Sequence, residues 1–273
     1  MRKSIYASIA VGTMLAVGIG APAMAAEGKA ELSVFHGIPD LPVDVYVNGE
    51  LTLDDFMPGD MAGPLELAPD TYSVAITAAD ATDDSAPLLG PIDLPLAADM
   101  SYTAVAHLMA DGTPTATLFT NDISATDSGN GRLTVRHVAA APAVDIWAND
   151  AVLFSNLSNP DEMMGDVPAA TYSAAVSLTG ETDLVLGPVD VPIKDGVNTI
   201  VYAWGSAADS NLAVAVQTVN TASEGAAPSG VQAGTMGFAD EGSNTTLIWA
   251  VSIIAMLGLA GVGTSALVAR RRR

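Results

Sequence analysis

Hydrophobic and polar positions along this chain alternate with a period of two, in short runs broken by proline, glycine and aspartate. Leu32, Val34 and His36 fall on one face of an extended segment, and Ser33 and Phe35 on the other. Gly37 to Pro42 cannot continue that strand, because Pro39 and Pro42 lack an N–H and hold φ fixed. Val43, Val45 and Val47 then alternate with Asp44 and Tyr46, and Asn48-Gly49 is a strong signal for a two-residue hairpin into Leu51 to Leu53. The same reading places strands at Tyr72 to Thr77, Leu88 to Leu94, Tyr102 to Leu108 and Thr115 to Thr120. No stretch between residues 31 and 220 carries a convincing helical period.

The opening unit occurs twice. Leu32 to Gly49 returns as Leu133 to Asp150, so that Leu32, Val34, His36, Asp44, Val45, Tyr46 and Asn48 face Leu133, Val135, His137, Asp145, Ile146, Trp147 and Asn149. Thr71-Tyr72-Ser73 recurs at Thr171-Tyr172-Ser173, and Gly90-Pro91 at Gly187-Pro188. Two units, 31–120 and 132–220, are therefore expected around a polar joint at 121–131. With seven or so short strands each, they predict an all-β chain of two tandem β-sandwich modules, immunoglobulin-like or transthyretin-like. A small closed barrel is the alternative.

The two ends have a different character. Arg2 and Lys3 precede an apolar run to Ile19, and Ala23-Met24-Ala25 offers a cleavage site, which reads as a secretory signal at 1–25. Residues 247–269 carry no charge. As a helix they would extend about 34 Å, enough to cross a hydrocarbon core of about 30 Å. Arg270 to Arg273 then form a basic cluster of the kind retained on the cytoplasmic side. The expected topology is a single pass: the bulk of the chain outside the cell membrane, a flexible stalk at 221–246, a transmembrane helix at 247–269 and a cytoplasmic tail at 270–273.

Setting those ends aside sharpens the charge. The formal net charge of the whole chain is −21, but only Lys29, Arg132, Arg136 and Lys194 remain between the two ends, against all thirty-one acids. A surface of that sign repels nucleic acid and anionic lipid, so no nucleic-acid partner is expected. It suits solubility in salt, or alternatively the recruitment of Ca²⁺ by carboxylates, the one cofactor the composition suggests. Asp80, Asp83, Asp84 and Asp127 are the loop acids best placed for that, although neither loop has the spacing of a dedicated calcium loop. There is no cysteine, which removes disulfides, thiolate catalysis and cysteine-ligated metals.

The order His, seven residues, Asp-[Val/Ile]-[Tyr/Trp]-x-Asn, followed by Thr-Tyr-Ser at a strand start, resembles the DUF4397 domain. Asp40 to Gly49 is close to that family's usual run. Ala139 to Ala141 and Asn149-Asp150 in the second unit depart from it. The resemblance implies an extracytoplasmic β-rich module of bacterial, often actinobacterial, surface proteins, here in two copies, and it carries no known activity.

Two pairs, His36 with Asp44 and His137 with Asp145, have the residue types of an oriented general base. Nothing in the sequence supplies a nucleophile elbow, an HExxH or a second histidine per unit, so a structural latch around the proline bend is the simpler reading. His107 has no such partner in sequence. Tyr46/Trp147 and Tyr72/Tyr172 read as packing residues ahead of a sugar platform. The sequence thus points to a non-enzymatic surface protein for adhesion, envelope organisation or ligand display, with a surface polymer or another protein as its partner. The alternative is an extracellular hydrolase built on the His–Asp pairs, or a Ca²⁺-dependent binding protein built on the acidic loops.

Overall fold

The computed structural model describes residues 28–222. The expected signal sequence at 1–25, the expected stalk beyond 222, the apolar segment 247–269 and the basic residues 270–273 lie outside the described residues. Within them every regular element is a strand. The first half contains β1 (Ala30–His36), β2 (Val43–Val47), β3 (Glu50–Phe56), β4 (Met61–Leu67), β5 (Asp70–Ala78), β6 (Leu89–Leu96), β7 (Ser101–Leu108) and β8 (Pro114–Asn121). The second contains β9 (Asn130–Ala140), β10 (Val144–Ala148), β11 (Ala151–Leu157), β12 (Glu162–Pro168), β13 (Thr171–Leu178), β14 (Leu184–Pro192), β15 (Val197–Ser206) and β16 (Ala213–Asn220).

These strands form four open sheets rather than a closed barrel, and the second half repeats the first strand for strand. The orders are β3-β2-β5-β6 and β4-β1-β7-β8, then β12-β9-β15-β16 and β11-β10-β13-β14. In each half one pairing is parallel, β1 with β7 and β9 with β15, while the rest are antiparallel. Asn48 (φ 52°) and Gly49 (φ 80°) make the hairpin turn that the dipeptide predicts. The pattern along the chain does not announce β4 and β12. Both are edge strands with little buried surface, and β4 contains Pro64, which an edge tolerates because its missing N–H faces no neighbour.

Val43, Val45, Phe56, Ile76, Ala106 and Leu108 close a core between the two sheets of the first half. Leu133, Val135, Ile146, Leu157, Val176, Val191 and Val201 do so in the second. Among the described residues, the sixteen strands and both cores lie within residues 30–220, and each core is closed between the two sheets of its own half.

The inner sheets, β4-β1-β7-β8 and β12-β9-β15-β16, are covered on their other faces too, because they pack on each other. Phe35, Val105 and Phe119 of the first half meet Val138, Ile200 and Tyr202 of the second, with Phe35 and Tyr202 ring centroids 4.8 Å apart. Arg136 of β9 lies at the centre, fully buried. Its Nε donates to Glu162 Oε2 at 2.8 Å, one terminal nitrogen to the Tyr202 hydroxyl at 2.8 Å, and the other to Asn121 Oδ1 of the first half at 3.0 Å. The guanidinium also stands 4.4 Å from the centroid of the Phe119 ring. Tyr202 passes its own proton to Gln217 Oε1 at 2.6 Å, and Thr103 Oγ1 of the first half lies 3.1 Å from the same oxygen. A fork of five donors met by a carboxylate, a phenol, an amide and an aromatic face is a satisfied buried charge. The joint is fastened as well: Arg132 clasps Asp166 through Nε and one terminal nitrogen, and reaches Asp122 Oδ1 at 2.8 Å and Ser124 Oγ at 3.0 Å.

Replacing Arg136 by alanine leaves the Tyr202 hydroxyl oxygen and Glu162 Oε2 without their donor, and Asn121 Oδ1 with Thr103 Oγ1 alone. Loss of one partner from a buried charged network typically costs about 3–5 kcal/mol. Urea unfolding of segment 28–222 is expected to show one transition for the natural sequence and, for Arg136→Ala, a lower midpoint resolved into two steps. A single transition at an unchanged midpoint would mean that the seam does not couple the halves.

Candidate functional site

The histidines and aspartates singled out by the repeat are both buried, but each is bonded to backbone and not to the other. His36 Nε2 lies 2.7 Å from the Leu41 carbonyl oxygen, across the proline bend, and His137 Nε2 lies 2.9 Å from that of Pro142. A carbonyl only accepts, so Nε2 carries the proton in both rings. The Ala139 N–H approaches the remaining His137 nitrogen at 3.4 Å, whereas His36 Nδ1 is buried without a partner. Asp44 Oδ1 accepts from the Asp55 N–H at 2.8 Å, and Asp145 Oδ1 from the Asn156 N–H at 2.8 Å. Asp55 and Asn156 sit at φ 52° and 58° where the β2–β3 and β10–β11 ladders shift register. A bulge of that kind removes an N–H from the ladder, and the buried carboxylate takes it up. Asp145 also accepts from the Gly180 N–H at 2.9 Å. The two backbone bonds hold its pKa below the usual carboxylate range, Gly180 contributing most.

Two latches are therefore present per half, one imidazole and one carboxylate, where the sequence suggests a single pair. In both halves these groups lie inside the fold, the His36 Nδ1 among them. His107 is the third such case. Its Nδ1 donates to the Leu108 carbonyl at 3.0 Å and its Nε2 accepts from Thr117 Oγ1 at 2.9 Å. Tyr72 and Tyr172 donate to the carbonyls of Ala68 and Pro168, each at 3.0 Å, as braces of equivalent turns. Tyr46 is buried, and Trp147 donates its Nε1 proton to Ser177 Oγ at 2.9 Å.

The loop acids divide. Asp83 and Asp84 lie near Tyr46 together with Asp44 and Asp54, and burial plus these four carboxylates push the phenol pKa up. Asp80 is exposed in its turn, and Asp127 is exposed in the joint, where its carbonyl accepts from the Asn130 N–H at 2.9 Å. Among the described residues, the group whose carboxylates come within 4.8 Å of one another is Asp44, Asp54 and Asp55, and sequence reading did not pick out the last two. Their counterparts in the second half are Ser155 and Asn156, so the carboxylate that stitches the bulge recurs while the acidic cluster does not.

Sequence reading also gave no hint of a cavity of about 290 Å³ inside the first half, between its two sheets. Leu32, Val34, Val45, Val74, Ile76 and Leu94 wall it, with Ala104, Ala106 and Ala116 on the inner sheet. Its exposed lining residues, Asn48, Glu50, Thr52 and Leu65, all belong to the β2–β3 turn, β3 and β4, which places the mouth at that edge. The corresponding space in the second half measures about 30 Å³.

Burial holds all three histidine pKa values below 6.5, opposed in part by the carbonyl bonds and, for His36, by Asp60; for His107, His137 adds to the lowering. In this direction the unfolded chain binds more protons than the folded one once pH falls below about 6.5, so stability drops on acidification. The melting temperature of segment 28–222 is expected to fall between pH 7 and pH 5, before the carboxylates titrate, and His107→Gln should flatten the decline. A melting temperature unchanged across that window would show that the rings charge freely in the fold.

No curated protein matches this chain. Residues 30–147, spanning the first half and running on into β9 and β10, match a family model described as Domain of unknown function (DUF4397), and a DUF4397 domain is accordingly present there.

Proposed function

We propose that this chain is a non-enzymatic, membrane-anchored cell-surface protein of the actinobacterial type. Its two halves are read as tandem DUF4397 β-sandwiches of immunoglobulin-like or transthyretin-like kind, displayed outward on a stalk and serving adhesion, envelope organisation or ligand display. One observation carries the non-enzymatic part. In both halves the imidazole Nε2 and the carboxylate are bonded to backbone groups of the bend and the bulge, and both side chains are buried. The strand-for-strand repetition supports reading the second half as a second copy. The terminal basic cluster supports an outward-facing chain, and the seam suits a display role, because a fused double module holds a surface at a fixed distance and angle.

The absence of cysteine makes topology directly testable. Ser128→Cys, on an exposed turn of the joint, is expected to react with a membrane-impermeant maleimide on intact cells, whereas Arg273→Cys should react only after permeabilisation. Labelling of both sites on intact cells, or of Ser128→Cys only after lysis, would overturn the proposed orientation.

A further inference from the structure

The two halves share one fold and one set of latches, yet one is filled and the other hollow. The register shows why. Ala104 and Val201 occupy the same place, beside Val34 and Val135 respectively, and so do Ala116 and Val214. Leu53 of β3 corresponds to Phe154 of β11, whose ring carbons lie 3.7 Å from where a side chain would begin at Gly165, the counterpart of Leu65. The exchange is not one-sided, since Val47 and Val74 face Ala148 and Ala174. The net result is still about 290 Å³ against about 30 Å³.

We propose that the first half binds one linear alkyl chain with an uncharged head in the cavity between its sheets, and that the second half has lost this capacity by filling. The chemistry of the site selects that ligand. The walls are almost wholly aliphatic, and an apolar cavity of about 150 Å³ accepts benzene, so this volume takes a chain of about ten carbons. At the mouth stand Asn48, Glu50 and Thr52, and among the described residues no lysine or arginine lines the cavity. Between residues 30 and 121 there are fifteen acids and no Lys or Arg at all. A carboxylate or phosphate head would meet an unpaired Glu50 in a strongly negative field, whereas an alcohol, ester or amide head finds hydrogen-bonding groups there. The apolar tail of a surface lipid or lipopeptide with a neutral linkage is the natural ligand class. Edge strands β3 and β4 admit it end-on without breaking either sheet, and the inner sheet stays braced from behind by the second half.

The test uses n-decanol and, as its charged counterpart, decanoate at pH 8, titrated into segment 28–222 while the melting temperature and stoichiometry are followed. A ligand confined to the folded state raises the melting temperature by mass action. Decanol should do so at one site per chain, with decanoate at least tenfold weaker. Ala104→Val combined with Ala116→Val imports two of the residues that fill the second half and should weaken the decanol shift. Should that variant not fold, the reverse pair, Val201→Ala with Val214→Ala, remains; it opens part of the space in the second half and should add a second site for the shorter n-pentanol. No decanol shift in the natural segment, an equal shift in the filled variant, or no added n-pentanol site in the reverse variant would overturn the proposal. Decanoate binding as tightly as decanol would overturn its account of the head group.

Discussion

One buried guanidinium organises the contact on which the whole arrangement rests. Each inner sheet presents on its second face a set of residues that water would otherwise claim: Ser33, Thr103 and Asn121 on one side, Thr134, Arg136 and Asn198 on the other. Two such faces do not close on each other by apolar contact alone. Arg136 resolves the problem because a planar fork can hold Glu162, Tyr202 and Asn121 at once while its face rests on Phe119. Lysine, a single point of charge, has no such reach. The burial of Phe35, Val105 and Ile200 around that point supplies the area, and the polar network supplies the register.

The charge distribution gives the seam a second purpose. A half with fifteen acids and no Lys or Arg between residues 30 and 121 would repel a like-charged neighbour. Arg132 and Arg136, two of the four basic residues between the chain's ends, both lie on β9, the strand that faces it. Ion pairs on the surface weaken in salt, but pairs from which water is excluded are screened much less. Lys29 with Glu66 is of the first kind and the Arg136 network of the second. The acidic exterior and the cationic seam are thus compatible in media where exposed pairs contribute little.

Much of this architecture is legible in the sequence, and the parts that are not share a physical reason. Alternation locates β1, β2, β5 and β7 because one face of each is a continuous apolar stripe, and Asn48-Gly49 marks its hairpin through the backbone angles it adopts. Edge strands β4 and β12 bury too little to show a period. The seam escapes because alternation assigns Thr103, Thr134 and Arg136 to solvent, and only a second sheet arriving from elsewhere in the chain makes them interior. The repeat singles out His36, Asp44, His137 and Asp145, each of which is buried and bonded to backbone. The bond it suggests within each pair is replaced by two separate bonds, because the bulge at Asp55 and Asn156 is a feature of three-dimensional register that neither residue name reveals.

Strand-for-strand repetition makes the remaining difference between the halves informative. The imidazole at the bend, the carboxylate at the bulge and the tyrosine brace stand in both, because the shared backbone geometry leaves the same groups to satisfy. The interior between the sheets is under no such constraint. Ala104 and Ala116 leave the space between the sheets of the first half open, whereas valine stands at both equivalent places in the second half and helps to close it. The same strand order therefore carries either interior, and the hollow is set by side chains and not by topology.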